Sequence, residues 1–269
     1  METPPTFPGL AGLIITALQV LVVATSYANE ANPKTRAQYS KFSQASDESK
    51  TWPSRLGMMV IYTPALIASA TLLVLGIKRA TIPGDVVTIP LPSWATFLCS
   101  IHMAKRCLEI LFLHKYSGRT DRGTPMMIGF FYALQATLVA YGGGQEKGQD
   151  PSISMVIMGT ILFAIGIAGN FYHHHLLATL RSTSTDSAKK YVAPRGGLFG
   201  YVATPHYLFE LIGWLGIAIV SHHINVYLTF AGMCSYLGGR SVAQNEFNRR
   251  NFDEKEWPIE RKNMVPFIF

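Results

Sequence analysis

Residues 94–113 read WATFLCSIHMAKRCLEILFL, apolar enough to lie in a bilayer yet carrying His102, Lys105, Arg106 and Glu109. At about 100° per residue these four fall at roughly 0°, 300°, 40° and 340° around a helix, which is one narrow face. Phe97, Leu98, Ile101, Leu108, Ile110 and Leu111 cover the remainder. A charge at the centre of a hydrocarbon layer costs about 2.5–3.5 kcal/mol on insertion scales, so such a face turns toward a bundle interior or a wet cavity. Two readings follow from the pattern. Either a Lys/Arg–Glu pair pins helices together, or the face is one wall of a polar site inside a helical bundle.

The composition also points to a membrane. Of the 269 residues, 49% are hydrophobic and 14% charged, whereas a soluble domain carries about 25% charged residues. A mean hydropathy of only +0.22 implies short spans joined by polar loops. Seven apolar stretches are candidates: Leu10–Tyr27, Gly57–Ile77, Trp94–Leu113, Met126–Tyr141, Ile153–Asn170, Tyr207–Ser221 and Ile224–Leu237. Several fall short of the ~20 residues a span usually needs, so tilt or helical flanks are expected. The fifth is expected to continue as a polar helix to Arg181. Pro53, Pro125, Pro151 and Pro205 sit just ahead of spans or at their start, where proline suits a helix beginning. The first stretch lacks the basic flank of a cleavable signal peptide and is read as a retained helix. Cys99, Cys107 and Cys234 lie in apolar segments without metal-type spacing and are read as buried thiols. With no internal repeat and no boundary for a soluble domain, the expectation is an all-α membrane protein, one seven-helix domain over 1–269.

The net charge of +7 has to be placed before it is interpreted. Eighteen of the 23 Lys and Arg fall in segments 28–56, 114–125, 181–206 and the tail after 238. The opposite side holds Lys78, Arg79 and Lys147, while Lys105 and Arg106 lie within a span. The positive-inside rule therefore puts the amino terminus in the lumen and the carboxyl terminus in the cytosol, as an odd number of spans requires. The basicity is topological, and no nucleic acid partner is expected.

The stretch 170–210 is the second place where chemistry could sit. His173, His174 and His175 point about 100° apart on a helix and cannot converge on one ion, so no metal is expected. Asn170, His174 and Arg181 are four and seven residues apart and form one polar stripe, suited to phosphate or ribose hydroxyls or else to a solvated helix end. Gly196 and Gly197 permit a tight turn and close backbone approach to a ligand. Thr204-Pro205-His206-Tyr207-Leu208-Phe209-Glu210 opens the sixth span, with His206 and Glu210 one turn apart on a shared face. There is no Gly-x-Gly-x-x-Gly after a strand and no Walker lysine loop, so a bound dinucleotide would be held by the bundle itself.

These residues resemble the steroid 5α-reductase family, which includes very-long-chain enoyl-CoA reductases and polyprenol reductases. The resemblance runs from about Tyr39-Ser40-Lys41-Phe42 onward. It is strongest in 102–117, in 170–181, from Gly196-Gly197-Leu198-Phe199 to Glu210, and in Val265-Pro266-Phe267-Ile268-Phe269. Arg55-Leu56-Gly57-Met58-Met59, Tyr62-Thr63-Pro64 and Leu113-His114-Lys115-Tyr116-Ser117 are most similar to a plant steroid reductase-like subgroup. The resemblance implies a seven-helix enzyme of the endoplasmic reticulum membrane that uses NADPH. Hydride would pass to the β-carbon of an enone or enoyl thioester while a protein acid polarises the carbonyl. It implies variable substrate-side helices over 1–93 and an NADPH-binding part over 94–269. Asn170, His174, Arg181, His206, Tyr207, Glu210, Arg240 and Asn248 occupy positions that line the family's cofactor pocket, and His114 and Lys115 a loop that reaches it. Glu210 and Arg181 match in kind, whereas steroid reductases carry an acid at 174, an asparagine at 206 and a tyrosine at 248.

The substrate end departs from the family. Steroid reductases place a tyrosine after the histidine equivalent to His102 and a glutamate on the second helix. Here the first position is Met103, which cannot donate a hydrogen bond, and no acid lies between Glu48 and Asp85. Tyr62 and His102 become the candidate carbonyl-polarising groups, with Lys105 and Arg55 beside them. The expected partners are a lipophilic small molecule and the bilayer. A methyltransferase using S-adenosylmethionine shares the Pro-x-Tyr turn and buried glutamate, and a non-catalytic relative fits Met103. Both stand as alternatives.

Overall fold

Every apolar stretch is helical in the computed structural model of the chain, which describes residues 4–39, 42–43, 48–80, 94–142, 151–183 and 191–269, without the side chains of 48, 77–80 and 181–183. The described α-helices are α1 (Gly9–Ala31), α2 (Ser54–Ala80), α3 (Trp94–Leu108), α4 (Gly123–Gly142), α5 (Ile153–Thr183), α6 (Pro205–Ser221) and α7 (Ile224–Asn251). Four helical stretches among the described residues are long and apolar enough to cross a membrane: Gly9–Ala31, Ser54–Gly76, Gly123–Gly142 and Ile153–Leu180. The other three differ for visible reasons. α3 and α6 are short at 15 and 17 residues, and α7 buries Arg240, Asn245 and Asn248 along its length. Lys41, Lys147, Lys189 and Lys190, which contribute to the charge asymmetry, lie outside the described residues.

The outward faces are what lipid asks for. Leu10, Leu13 and Leu18 on α1, Phe130 on α4 and Ile157 and Ile161 on α5 are all more than half exposed. Inside, helices associate by close approach and by polar contacts, because burial alone drives nothing between apolar surfaces in lipid. Between α5 and α6, Gly159 and Gly166 face Gly216 and Gly213. A Cβ on Gly166 would stand 2.3 Å from the Gly213 nitrogen, so two backbones meet there with nothing between them. α1 packs on α7, joined by Asn225 Nδ2 donating to Thr16 Oγ1 at 2.8 Å and Gln19 Oε1 at 2.7 Å. α2 packs on α3 and α4, and α3 on α6.

The polar ends are tied together on the side carrying most of the positive charge. Strand β1 (Thr51–Pro53) pairs antiparallel with β2 (Arg119–Asp121). The tail returns along the start of α6, with Ala203 and Thr204 N–H donating to the Lys262 and Asn263 carbonyls at 2.9 and 3.0 Å. α7 runs well beyond the expected Leu237 because this tail covers its inner face. Trp257 Nε1 donates to Asn245 Oδ1 and Asn245 Nδ2 to the Arg261 carbonyl, at 2.8 and 2.9 Å.

Candidate active site

The helix that carries the decisive polar face does not end as an α-helix. After Leu108 it widens into a π turn, Glu109–Leu113, closed by His114 N–H donating to the Glu109 carbonyl at 2.8 Å. Such turns occur often at functional sites. Here it brings a residue five positions on back beside Glu109, so His114 reaches the same side. The ring centroids of His114 and His174 are 4.9 Å apart.

Glu109 sits in a polar network that draws residues from α2, α3, α5 and α6. Its Oε1 stands 2.8 Å from Lys105 Nζ, while Oε2 accepts from Arg106 NH1 at 2.8 Å and lies 3.0 Å from His174 Nδ1. Arg106 NH2 donates to the Tyr62 hydroxyl on α2 at 2.9 Å, with the guanidinium carbon 4.7 Å from the phenol centroid. Lys105 also donates to Asn170 Oδ1 on α5, and Asn170 Nδ2 donates to the His206 carbonyl at 2.8 Å. Glu210, one turn farther along α6, is buried within electrostatic reach of Lys105 and Arg106. Tyr62, Arg106, Glu109, Asn170, His174 and Glu210 are all under 9% exposed. A buried charge persists only when paired and hydrogen-bonded. Two cations and two carboxylates, each near opposite charge, meet that condition.

The two readings of the 94–113 face thus meet in one object, a Lys/Arg–Glu pair that also walls a polar interior. Of the residues singled out from sequence, Tyr62, Asn170, His174, His206 and Glu210 gather around it with His114 at its edge. Tyr207 lies half-buried on α6 with its ring against His206, 4.4 Å between centroids. His102 sits one turn from Arg106, buried against Trp214 at 5.5 Å between ring centroids. Among the described residues, its Nε2 and the Trp214 Nε1 have no hydrogen-bond partner. Lys115 is exposed, and the side chain of Arg181 lies outside the described residues.

Arg240 and Asn248 belong to a neighbouring cluster. Arg240 NH1 donates to Glu30 Oε2 at 3.0 Å and to the Ala37 carbonyl at 2.9 Å, and NH2 donates to the Tyr39 carbonyl at 3.2 Å. Its guanidinium lies over the Tyr39 and Phe42 rings. These bonds strap the segment after α1 across the basic end of the bundle. Asn248 is buried, and among the described residues its Nδ2 has no hydrogen-bond partner. Sequence reasoning left Arg106 and Glu109 off the candidate roster although they stood on the polar face. Their spacing from His102 was the available signal. Trp214 carried a weaker one, one turn beyond Glu210.

Glu109, His114 and His174 place one ligand atom each within 4.8 Å of one another. A dication there would compete with Lys105 and Arg106 for the same carboxylate, so the donor set does not fit a metal. An anionic dinucleotide is a different matter. Half-buried Lys105 and buried Arg106 and Arg240 place cations at this end of the bundle, and among the described residues the Nδ2 of buried Asn248 has no hydrogen-bond partner.

A family profile described as 3-oxo-5-alpha-steroid 4-dehydrogenase matches residues 126–269. The chain is 27% identical over 174 residues to a very-long-chain enoyl-CoA reductase of Dictyostelium discoideum, covering 63% of this chain and 55% of that protein. It is 33% identical over 113 residues to 3-oxo-5-alpha-steroid 4-dehydrogenase 2 of Homo sapiens, 42% of each chain. To steroid 5-alpha-reductase DET2 of Solanum lycopersicum it is 32% identical over 112 residues, again 42% of each. The chain spans about half the length of the relatives it matches.

Proposed function

The chain belongs to the 3-oxo-5-alpha-steroid 4-dehydrogenase family, and from that premise we propose that it is a membrane reductase of the carbon–carbon double bond in a conjugated, lipophilic carbonyl compound. The observation that carries this reading is the buried group of Arg106, Glu109, Asn170, His174 and Glu210, with half-buried Lys105 at its side, assembled beside the Tyr62 hydroxyl. NADPH is the proposed cofactor, and when bound it supplies the hydride. Lys105, Asn170, His174, His206 and Glu210 would face it, with Tyr207, His114, Lys115, Arg181, Arg240 and Asn248 as further contacts. Tyr62, with His102 as the other candidate, is the proposed donor to the substrate carbonyl. Negative charge grows on that oxygen as the β-carbon is reduced, so a fixed donor acts where charge develops. We place the chain in the endoplasmic reticulum membrane as seven spans, with its amino terminus lumenal and its carboxyl terminus cytosolic.

One observation favours an enoyl thioester over a steroid. The match to the enoyl-CoA reductase covers 63% of this chain against 41–55% for the steroid reductases, and Met103 removes the steroid enzymes' tyrosine. Purified protein titrated with NADPH and with S-adenosylmethionine tests the class. Thermal stabilisation by NADPH and loss of reduced-nicotinamide absorbance with a trans-2-enoyl-CoA or a 3-oxo-Δ4 steroid are expected. Stabilisation by the methyl donor alone would overturn the reductase. NADPH binding without turnover of either probe would make the chain a non-catalytic relative.

A further inference from the structure

Tyr62 accepts one hydrogen bond from Arg106, which leaves its own O–H to donate, because a hydroxyl carries one donor and two acceptor positions. The other groups facing it are Tyr132 on α4, with ring centroids 5.2 Å apart, Tyr39 from the strap, and Glu210 from α6. Among the described residues only Arg106 is hydrogen-bonded to the phenol. Arg106 cannot swing away freely, since its NH1 is held by Glu109 at 2.8 Å and lies 3.0 Å from His174 Nδ1. The arrangement is thus a phenol on α2, a guanidinium on α3 behind it, and a carboxylate in the π turn behind that.

We propose that Arg106 is a positioning residue for the reduction, holding Tyr62 as proton donor and stabilising the phenolate left when that proton passes to the substrate oxygen. This rests on the reductase reading. In the step, a hydride adds to the β-carbon with oxidation of the reduced nicotinamide as its source. The double-bond electron pair moves through the α-carbon onto the carbonyl oxygen. The Tyr62 O–H bond breaks and its proton goes to that oxygen, giving an enol that tautomerises. Water returns a proton to Tyr62. When the phenol becomes a phenolate, the bond from the guanidinium changes from one with a single ionised partner to one between opposite charges, which favours the ionised form. In a dry interior that preference is larger than at a surface. Glu109 compensates the guanidinium without touching the phenol.

The test compares wild type with Arg106→Lys, Arg106→Gln and Tyr62→Phe, and places 3-fluorotyrosine at position 62 in the first three. NADPH oxidation with trans-2-enoyl-CoA and with a 3-oxo-Δ4 steroid is followed against pH. The fluorine resonance is titrated without cofactor. Removal of a general acid typically costs 10²–10⁴-fold, so Arg106→Gln is expected to lower kcat by about 10²-fold with KM for NADPH little changed. In that variant the fluorotyrosine ionises at higher pH, and Arg106→Lys restores part of both effects. An identical fluorine titration in wild type and Arg106→Gln overturns the proposal. So does an unchanged kcat in a folded Arg106→Gln protein while Tyr62→Phe is impaired. If Arg106→Gln fails to fold, Arg106→Lys carries both readouts with the same criteria. A displaced titration in a wild type that reduces neither probe refutes the reductase and leaves only the electrostatic coupling.

Discussion

Replacing Glu109 by glutamine removes a carboxylate that both Lys105 and Arg106 touch. At an effective dielectric near 20, unit charges about 4 Å apart attract by about 4 kcal/mol, and Glu109 faces two of them. Much of that attraction offsets desolvation. What remains decisive is the uncompensated charge left behind, typically about 3–5 kcal/mol when one partner of a buried pair is removed. Glu210 supplies some of the missing compensation, so a loss near 3 kcal/mol is expected. Lys105→Met leaves Glu109 bonded to Arg106 and is expected to cost less, about 1–2 kcal/mol. The double variant restores charge balance around Arg106, so the two changes should fall short of additivity by at least about 1 kcal/mol. Reversible unfolding in mixed micelles of increasing detergent strength measures all four corners of the cycle. Losses below about 1 kcal/mol in both single variants, summing in the double, would show that these charges are solvated and that the interior is wet rather than packed.

Gly166→Ala is expected to destabilise by about 1–3 kcal/mol, since its Cβ meets the Gly213 backbone at 2.3 and 2.6 Å. Gly213→Ala, whose Cβ meets nothing nearer than 3.8 Å, should be almost neutral. Thermal melts of the two variants check this asymmetry. His223, in the turn between α6 and α7, is fully buried, and burial pushes its imidazole down to about 4. Its folded value lies below the unfolded one near 6.5. Its contribution is therefore intact above pH 6.5 and is lost between about 6.5 and 4, up to about 3 kcal/mol. A His223→Gln protein should show a flatter stability profile across that window. Arg240→Met strands Glu30 in the interior and frees the segment after α1. Faster proteolysis near residues 36–43, with α5 and α6 still protected, is the expected result.

Helix placement was largely legible because hydropathy reports the length of apolar runs, and lipid enforces helices wherever such runs occur. Leu10–Tyr27 falls within Gly9–Ala31, and Met126–Tyr141 within Gly123–Gly142. The extension of α7 to Asn251 was not legible. It is stabilised by amide and indole bonds to a tail 12 to 18 residues away in sequence, and periodicity says nothing of such partners. The polar face of α3 was readable from spacing alone, down to which four residues share it. Hidden from that reading was the π turn, which alters the register after Glu109 and brings His114 to His174. Arg240 stood among expected cofactor contacts, yet its donors go to Glu30 and the strap. That pairing joins residues 210 positions apart, beyond the reach of any local pattern.

The seam between α1 and α7 also constrains how the chain is made. α1 emerges from the ribosome earliest of the seven helices, and the helix it packs on emerges latest. Until then Thr16 and Gln19 lack the Asn225 amide that bonds them in the finished bundle, and Glu30, at the basic end, lacks Arg240. Assembly therefore closes like a clasp, and a chain stalled before α7 leaves Thr16 and Gln19 on α1 without their Asn225 partner. A quality-control protease that senses polar groups in the bilayer would find its signal there, at the opposite end of the sequence from the defect.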